Sequence, residues 1–198
     1  MSLLVNIRGT NGSGKSTIPI KMMNDPDKYT IEKRIEGRKK PKTILTVFPT
    51  YGWVALGSYE NKTGGLDVIP NNKTTRKILW YALKKFPEYD ILMEGIIAST
   101  IRSTYIKIFH EIEREFDRKV IVLSFTPPVD ICIKRVKQRN GCVKVDEKAI
   151  ESKWKTVKRN VEHFKAEGFI SISVDNSNTK LDLMLHNFLK LMEKYKDA

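Results

Sequence analysis

Cysteine is nearly missing from this 198-residue chain: Cys132 and Cys142 are the whole complement, and no histidine accompanies them at metal-ligand spacing. A disulfide framework and a structural zinc site are thereby set aside, and reduced thiols in a cytoplasmic protein are the expectation. Long apolar runs are lacking too. The longest, such as Val120–Phe125, fall far short of the ~20 residues that a membrane span needs, so no membrane partner is expected. Residues Met1 to Ile7 carry no basic leader and no small-residue cleavage site, and they read as a first strand instead of a signal peptide. Repeats, linkers and low-complexity tracts are absent, and a chain of this length is expected to form one domain over residues 1–198.

Negative charge is also scarce. Twenty-three acidic residues stand against 36 Lys and Arg, leaving a net charge of +13. Such an excess concentrates polyanions around a protein and is one mark of nucleic-acid contact, although a generally basic, solvated surface gives the same count. The basic residues gather at 33–42 and 144–159.

What the chain does have is Gly9-Thr10-Asn11-Gly12-Ser13-Gly14-Lys15-Ser16, a full match to G-x-x-x-x-G-K-[ST]. An apolar stretch, Leu3–Arg8, leads into it as a buried strand, and a helix from about Gly14 to Met23 is expected to follow. Gly12 and Gly14 let the backbone curl so that successive N–H groups point at phosphate oxygens, and the helix adds the positive end of its dipole. Asn11, Gly12, Ser13, Gly14, Lys15, Ser16 and Thr17 are accordingly the candidate ligands of a nucleoside triphosphate such as ATP. Lys15 would neutralise the β- and γ-phosphates, and Ser16 would place its hydroxyl on Mg²⁺. Pro19 is awkward inside the expected helix, where a local distortion is anticipated.

Downstream, strands at Thr43–Phe48, Trp53–Leu56, Tyr89–Ile97, Lys119–Phe125 and Phe169–Val174 are expected. They alternate with helices at Lys73–Phe86, Arg102–Phe116, around Val129–Val136, Asp146–Glu167 and Asn178–Tyr195. This order implies an α/β, three-layer P-loop fold: a mostly parallel sheet with helices on both faces. The Asn-Lys-x-Asp base-reading motif of GTPases is absent, and a single acid, Glu94, ends the Tyr89 strand. In open α/β sheets that strand end faces the ligand crevice. Glu94 is therefore a candidate for holding Mg²⁺ or accepting a proton from an attacking hydroxyl, and a salt-bridged strand terminus is the structural alternative. Asp67, after Gly64-Gly65, is a second candidate base, and the glycine pair would let substrate approach the backbone. Arg135 and Arg139 share one helix face and are candidates to fold over the phosphates as a lid.

These features together resemble the P-loop kinases that act on nucleosides and nucleotides. The likeness rests on GTNGSGKST, the strand–acid element ILMEG, the helix ICIKRVKQRN and the terminal ISVDNSN. It implies a lid whose arginines, here Arg135 and Arg139, reach the phosphates, and an adenine contact from Asp175-Asn176-Ser177. The Asp-Arg of thymidylate kinases is replaced by Glu94-Gly95, and no Glu-Arg-Ser of deoxynucleoside kinases follows. More narrowly, VALGSYENKTGGLDVI with ILMEGIIAST resembles phage kinases that phosphorylate 5-hydroxymethyluracil within DNA. That likeness implies ATP as donor, DNA as substrate and a site in the host cytoplasm. A base in duplex DNA would be flipped out for its hydroxyl to reach the γ-phosphate, and Tyr51, Trp53 and Tyr59 are candidates to stack on bases, with core packing as the alternative. A free nucleoside or nucleotide kinase, and a nucleotide-binding switch without phosphoryl transfer, remain the other readings. Replacing Lys15 by Ala is expected to reduce transfer from γ-labelled ATP to background while the thermal unfolding transition is retained.

Overall fold

The computed structural model describes residues 1–35, 39–60, 65–95, 98, 100–141 and 144–197. Seven strands form one sheet: β1 (Leu3–Arg8), β2 (Tyr29–Lys33), β3 (Lys42–Phe48), β4 (Trp53–Leu56), β5 (Asp90–Glu94), β6 (Lys119–Phe125) and β7 (Ile170–Val174). Their spatial order is β2-β3-β4-β5-β1-β6-β7. From β4 to β7 every pairing is parallel, whereas β2 and β3 add an antiparallel hairpin at one edge. The six α-helices among the described residues are α1 (Thr17–Met22), α2 (Asn72–Lys85), α3 (Ser103–Phe116), α4 (Val129–Arg139), α5 (Glu147–Ala166) and α6 (Leu181–Lys196). None of them is long and apolar enough to cross a membrane.

Every side chain of β1 is buried, so each face of this central strand needs a cover. Leu4 packs with α2, α3 and α5 through Leu79, Phe109 and Phe164. Leu3, Val5 and Ile7 pack on the other face against Ile18 of α1 and Phe188 and Met192 of α6. Two apolar layers therefore enclose one sheet, as parallel pairing requires. In α6 the inward stripe is Met184, Phe188 and Met192, while Leu181 is 62% exposed in the helix's first turn.

The first helix starts later than the sequence suggests. Ser16 is its N-cap and Pro19 falls in its first turn, where a backbone N–H has no intrahelical acceptor in any case. The anticipated distortion is thus unnecessary. β2, which was not expected, is exposed along almost its whole length, so its sequence shows no apolar alternation. Asn71 caps α2 by accepting from the Thr74 N–H at 2.8 Å, and Asp146 caps α5 from Ala149 N–H at 2.9 Å.

At the amino ends of the parallel strands Arg118 is buried, and its guanidinium donates to the carbonyls of Leu3, Tyr89, Phe86 and Pro87. The α2–β5 turn is tied to β1 and β6 through this one side chain. Arg118→Met takes a donor from four carbonyls, of which Phe86 and Pro87 keep another in the Tyr89 N–H and Ser2 Oγ; it is expected to cost about 3 kcal/mol, measured as a lower midpoint in urea unfolding with an unchanged slope.

Candidate phosphoryl-transfer site

The loop after β1 curls as the motif requires. Gly12 and Gly14 have φ of 78° and 91°, and a Cβ at either would strike neighbours. At Gly12 it would lie 2.2 Å from the Cys132 carbonyl oxygen, and at Gly14 2.7 Å from Asn176 Nδ2. The loop is therefore clamped between α4 and the segment after β7. Asn176, itself buried, donates to the Ser13 carbonyl at 2.9 Å. Arg135 reaches across from α4 and donates to the carbonyls of Asn176 at 3.1 Å and Gly12 at 3.5 Å. Arg135 thus lies against the loop and the 176–177 segment, whereas Arg139, also on α4, is exposed and makes no hydrogen bond or ion pair among the described residues. The side chains of Asn11 and Ser13 each leave one buried oxygen without a partner, and Lys15 is buried. A cradle of this kind, with polar atoms turned inward and one buried ammonium, fits a polyphosphate.

Beside the cradle stands Glu94. Parallel register places Ile7 opposite Glu94, so the last residue of β5 emerges next to the loop that begins two residues beyond Ile7. Glu94 has no exposure to solvent. Ser16 Oγ donates to its carboxylate, 3.2 Å from either oxygen, and so does not cap α1. Burial pushes the Glu94 carboxyl up to about 7; Lys15 opposes this shift, nearby Asp67 adds to it and the Ser16 hydroxyl opposes it. Asp67, exposed in a 3₁₀ turn (Leu66–Val68), approaches the peptide at Gly95: a Cβ placed there would lie 3.2 Å from Asp67 Oδ1. Lys15, Ser16, Asp67 and Glu94, far apart in sequence, are thus brought to one place.

Gly65, read from the sequence as opening the backbone to substrate, lies against Glu94. Its φ is 64°, and a Cβ there would come within 2.5 Å of Glu94 Oε1, so it brings the Asp67 loop down onto the acid. Gly64, the other half of that pair, lies outside the described residues, as does Cys142; Cys132 is a free, buried thiol. Trp53 and Tyr59, offered as base-stacking candidates, are buried. Trp53 packs on Phe188 at a ring separation of 5.1 Å. Tyr59 donates to the Leu56 carbonyl at 3.2 Å, and burial, then Glu94 and Asp67, push its phenol well above the ordinary value. Tyr59, which the sequence offered only for stacking on bases or for the core, is thus a buried neighbour of Glu94 and Asp67. Tyr51 is half-buried against the same core. Arg8, at the end of β1, is a buried cation that the sequence did not single out: its guanidinium, pushed down to about 9 by burial, donates to Asn6 Oδ1 and the Ile101 carbonyl and lies 4.7 Å over the Phe164 ring.

No group of three or more His, Cys, Asp or Glu among the described residues is arranged as a metal cage. A cation here would have to share Ser16 Oγ and Glu94 with phosphate oxygens and water, as Mg²⁺ commonly does.

A central strand running into a phosphate cradle, with a buried acid on the adjacent parallel strand, defines the nucleotide site of a P-loop protein. Comparison with known proteins narrows the class: the family model for 5-hmdU DNA kinase matches residues 2–179, and the chain belongs to that family. The 5-hmdU DNA kinase of Bacillus phage SP10 is 44% identical over 182 residues, covering 88% of this chain and 27% of that protein. The 5-hmdU DNA kinase 1 of Salmonella phage ViI is 35% identical over 161 residues, covering 78% of this chain and 67% of that protein. This chain therefore spans about a quarter of the length of the SP10 relative. A solved deoxyadenosine kinase from M. mycoides with bound dCTP aligns at 19% identity over 97% of this chain and 100% of that one, with a TM-score of 0.42, too loosely for anything to be drawn from it.

Because the folded Glu94 carboxyl titrates near 7 and a free one near 4.5, its burial costs nothing below the lower value. The cost grows as pH rises between the two and is complete above about 7. Glu94→Gln is therefore expected to raise Tm at pH 8, by an amount corresponding to roughly 3 kcal/mol, and to leave it unchanged at pH 4.5; calorimetry across that range measures the difference.

Proposed function

We propose that this chain transfers the γ-phosphate of ATP to the hydroxymethyl group of 5-hydroxymethyluracil in DNA. The observation that carries this reading is the pair of acids at the cradle, one buried and bonded to Ser16, the other exposed, in a chain of the 5-hmdU DNA kinase family.

The division of labour follows from their surroundings. Backbone N–H groups of Asn11 to Thr17 and the Lys15 ammonium bind the β- and γ-phosphates. Ser16 and Glu94 would hold Mg²⁺, which supplies neutralisation of charge on the phosphates. Asp67, open to solvent and facing Gly95, receives the acceptor. As the hydroxymethyl oxygen forms its bond to the γ-phosphorus, the bond from phosphorus to the β–γ bridging oxygen breaks. The hydroxyl proton passes to the Asp67 carboxylate, and ADP leaves with the bridging oxygen. Arg139, exposed on α4, closes over the transferring group, while Arg135 holds the cradle against the adenine-side loop. The surplus of +13 fits a polymeric, polyanionic acceptor.

Offered γ-labelled ATP and Mg²⁺ with hydroxymethyluracil-containing DNA, ordinary DNA, or free nucleosides and nucleotides, the protein is expected to label only the modified polymer. Label confined to small molecules would remove the DNA acceptor, and label in none would leave a nucleotide-binding module. Asp67→Asn is expected to lower kcat by roughly 10²–10⁴ with ATP affinity retained, as measured by single-turnover kinetics and nucleotide titration.

A further inference from the structure

At the sheet edge opposite β7, a cavity of about 280 Å³ lies between the β2–β3 hairpin and α2, lined by Lys33, Arg34, Ile44, Thr74, Lys77 and Tyr81 among others. Three of these carry positive charge, and among the described residues no acidic one lines the space. Lys33 and Lys42 are also directly opposed in the antiparallel register, an arrangement that is destabilising unless an anion lies between or beside the two. No carboxylate among the described residues forms an ion pair with Lys33, Arg34, Lys42 or Lys77, although exposed cations elsewhere, such as Arg76, Lys137 and Lys165, do have acidic partners. The Lys33 ammonium rests 3.3 Å over the Tyr81 ring, with Lys85 at 5.7 Å. A ring so placed holds the cations at the groove without neutralising them.

The groove also leads to the acceptor side of the site. The first turn of α2 lines a second cavity, of about 170 Å³, whose walls include Leu66, Asn72, Ala98 and Tyr105. Leu66 packs against Gly95, next to Glu94. From Asn72 to Tyr81 along α2 is ~13 Å, or about four nucleotide steps measured along a duplex axis.

We propose that this hairpin–helix groove seats the sugar–phosphate backbone of the DNA strand whose modified base enters beside Asp67. Lys33, Arg34 and Lys77 contact successive phosphates, with Lys42 contributing at the rim. The proposal rests on the reading of DNA as acceptor. Contacts of this kind carry no base sequence; they fix the strand's position and register. The basic face of α5 is a poorer cradle because Glu147, Glu151 and Glu162 interleave with its cations.

The test compares the wild-type chain with Lys33→Gln/Lys77→Gln, with Lys77→Arg, and with Lys153→Gln/Lys155→Gln on α5. Binding to a hydroxymethyluracil-containing oligonucleotide is titrated at 50–200 mM salt, and the KM for that DNA is measured beside it. For the groove double variant the slope of log affinity against log salt is expected to fall by about 1.5–2. KM for DNA should rise roughly tenfold at constant kcat, with Lys77→Arg close to wild type. An unchanged slope and KM in the groove variant, or the same loss from the α5 variant instead, would overturn the proposal while labelling of modified DNA by the wild-type chain still stood. If the wild-type chain labels no DNA yet binds it with a salt slope that the groove variant flattens, the groove stands and the acceptor reading fails.

Discussion

Glu94 places a carboxyl where water does not reach, and much of the site follows from how its charged form is tolerated. The Ser16 hydroxyl turns from capping its own helix to meet the carboxylate, and the Lys15 ammonium faces it from the loop. Asp67 adds a second negative charge nearby. Two acids and one ammonium around a phosphate cradle leave a net demand for positive charge, which the proposed Mg²⁺ would meet. The acid's position depends in turn on strand pairing, because β5 lies against β1 in parallel and ends level with the start of the loop.

The rest of the fold serves that juxtaposition from both directions. At the carboxyl ends of the strands, α4 and the segment after β7 pinch the loop through Gly12, Arg135 and Asn176. At the amino ends Arg118 gathers four carbonyls. Stability and chemistry thus sit at opposite ends of the same strands, so the functional end is free to carry an expensive buried acid.

The elements with strong apolar periodicity were legible in the sequence, and β6 and α2 begin and end where their patterns do, to within a residue or so. β2 was not legible, because an exposed edge strand has no face to bury. Within the site, Lys15 and Ser16 were readable from a contiguous motif, and Glu94 from its place at a strand end. Tyr59 was singled out in the sequence for its ring alone, and its place beside Glu94, like the burial of Arg8 against Ile101 and Phe164, depends on what approaches through space. Trp53 was misleading for a related reason, since an aromatic ring suits a base and a core equally well until Phe188 is seen beside it.

Gly65 shows how the two acids are kept in step. With only a hydrogen atom on its inner side, its main chain rests against Glu94, and two residues later the same chain delivers Asp67. The separation of the acids is gauged by peptide geometry, which is stiff, and not by side-chain rotamers, which are soft. A side chain exchanged elsewhere along that turn consequently leaves the gauge itself fixed.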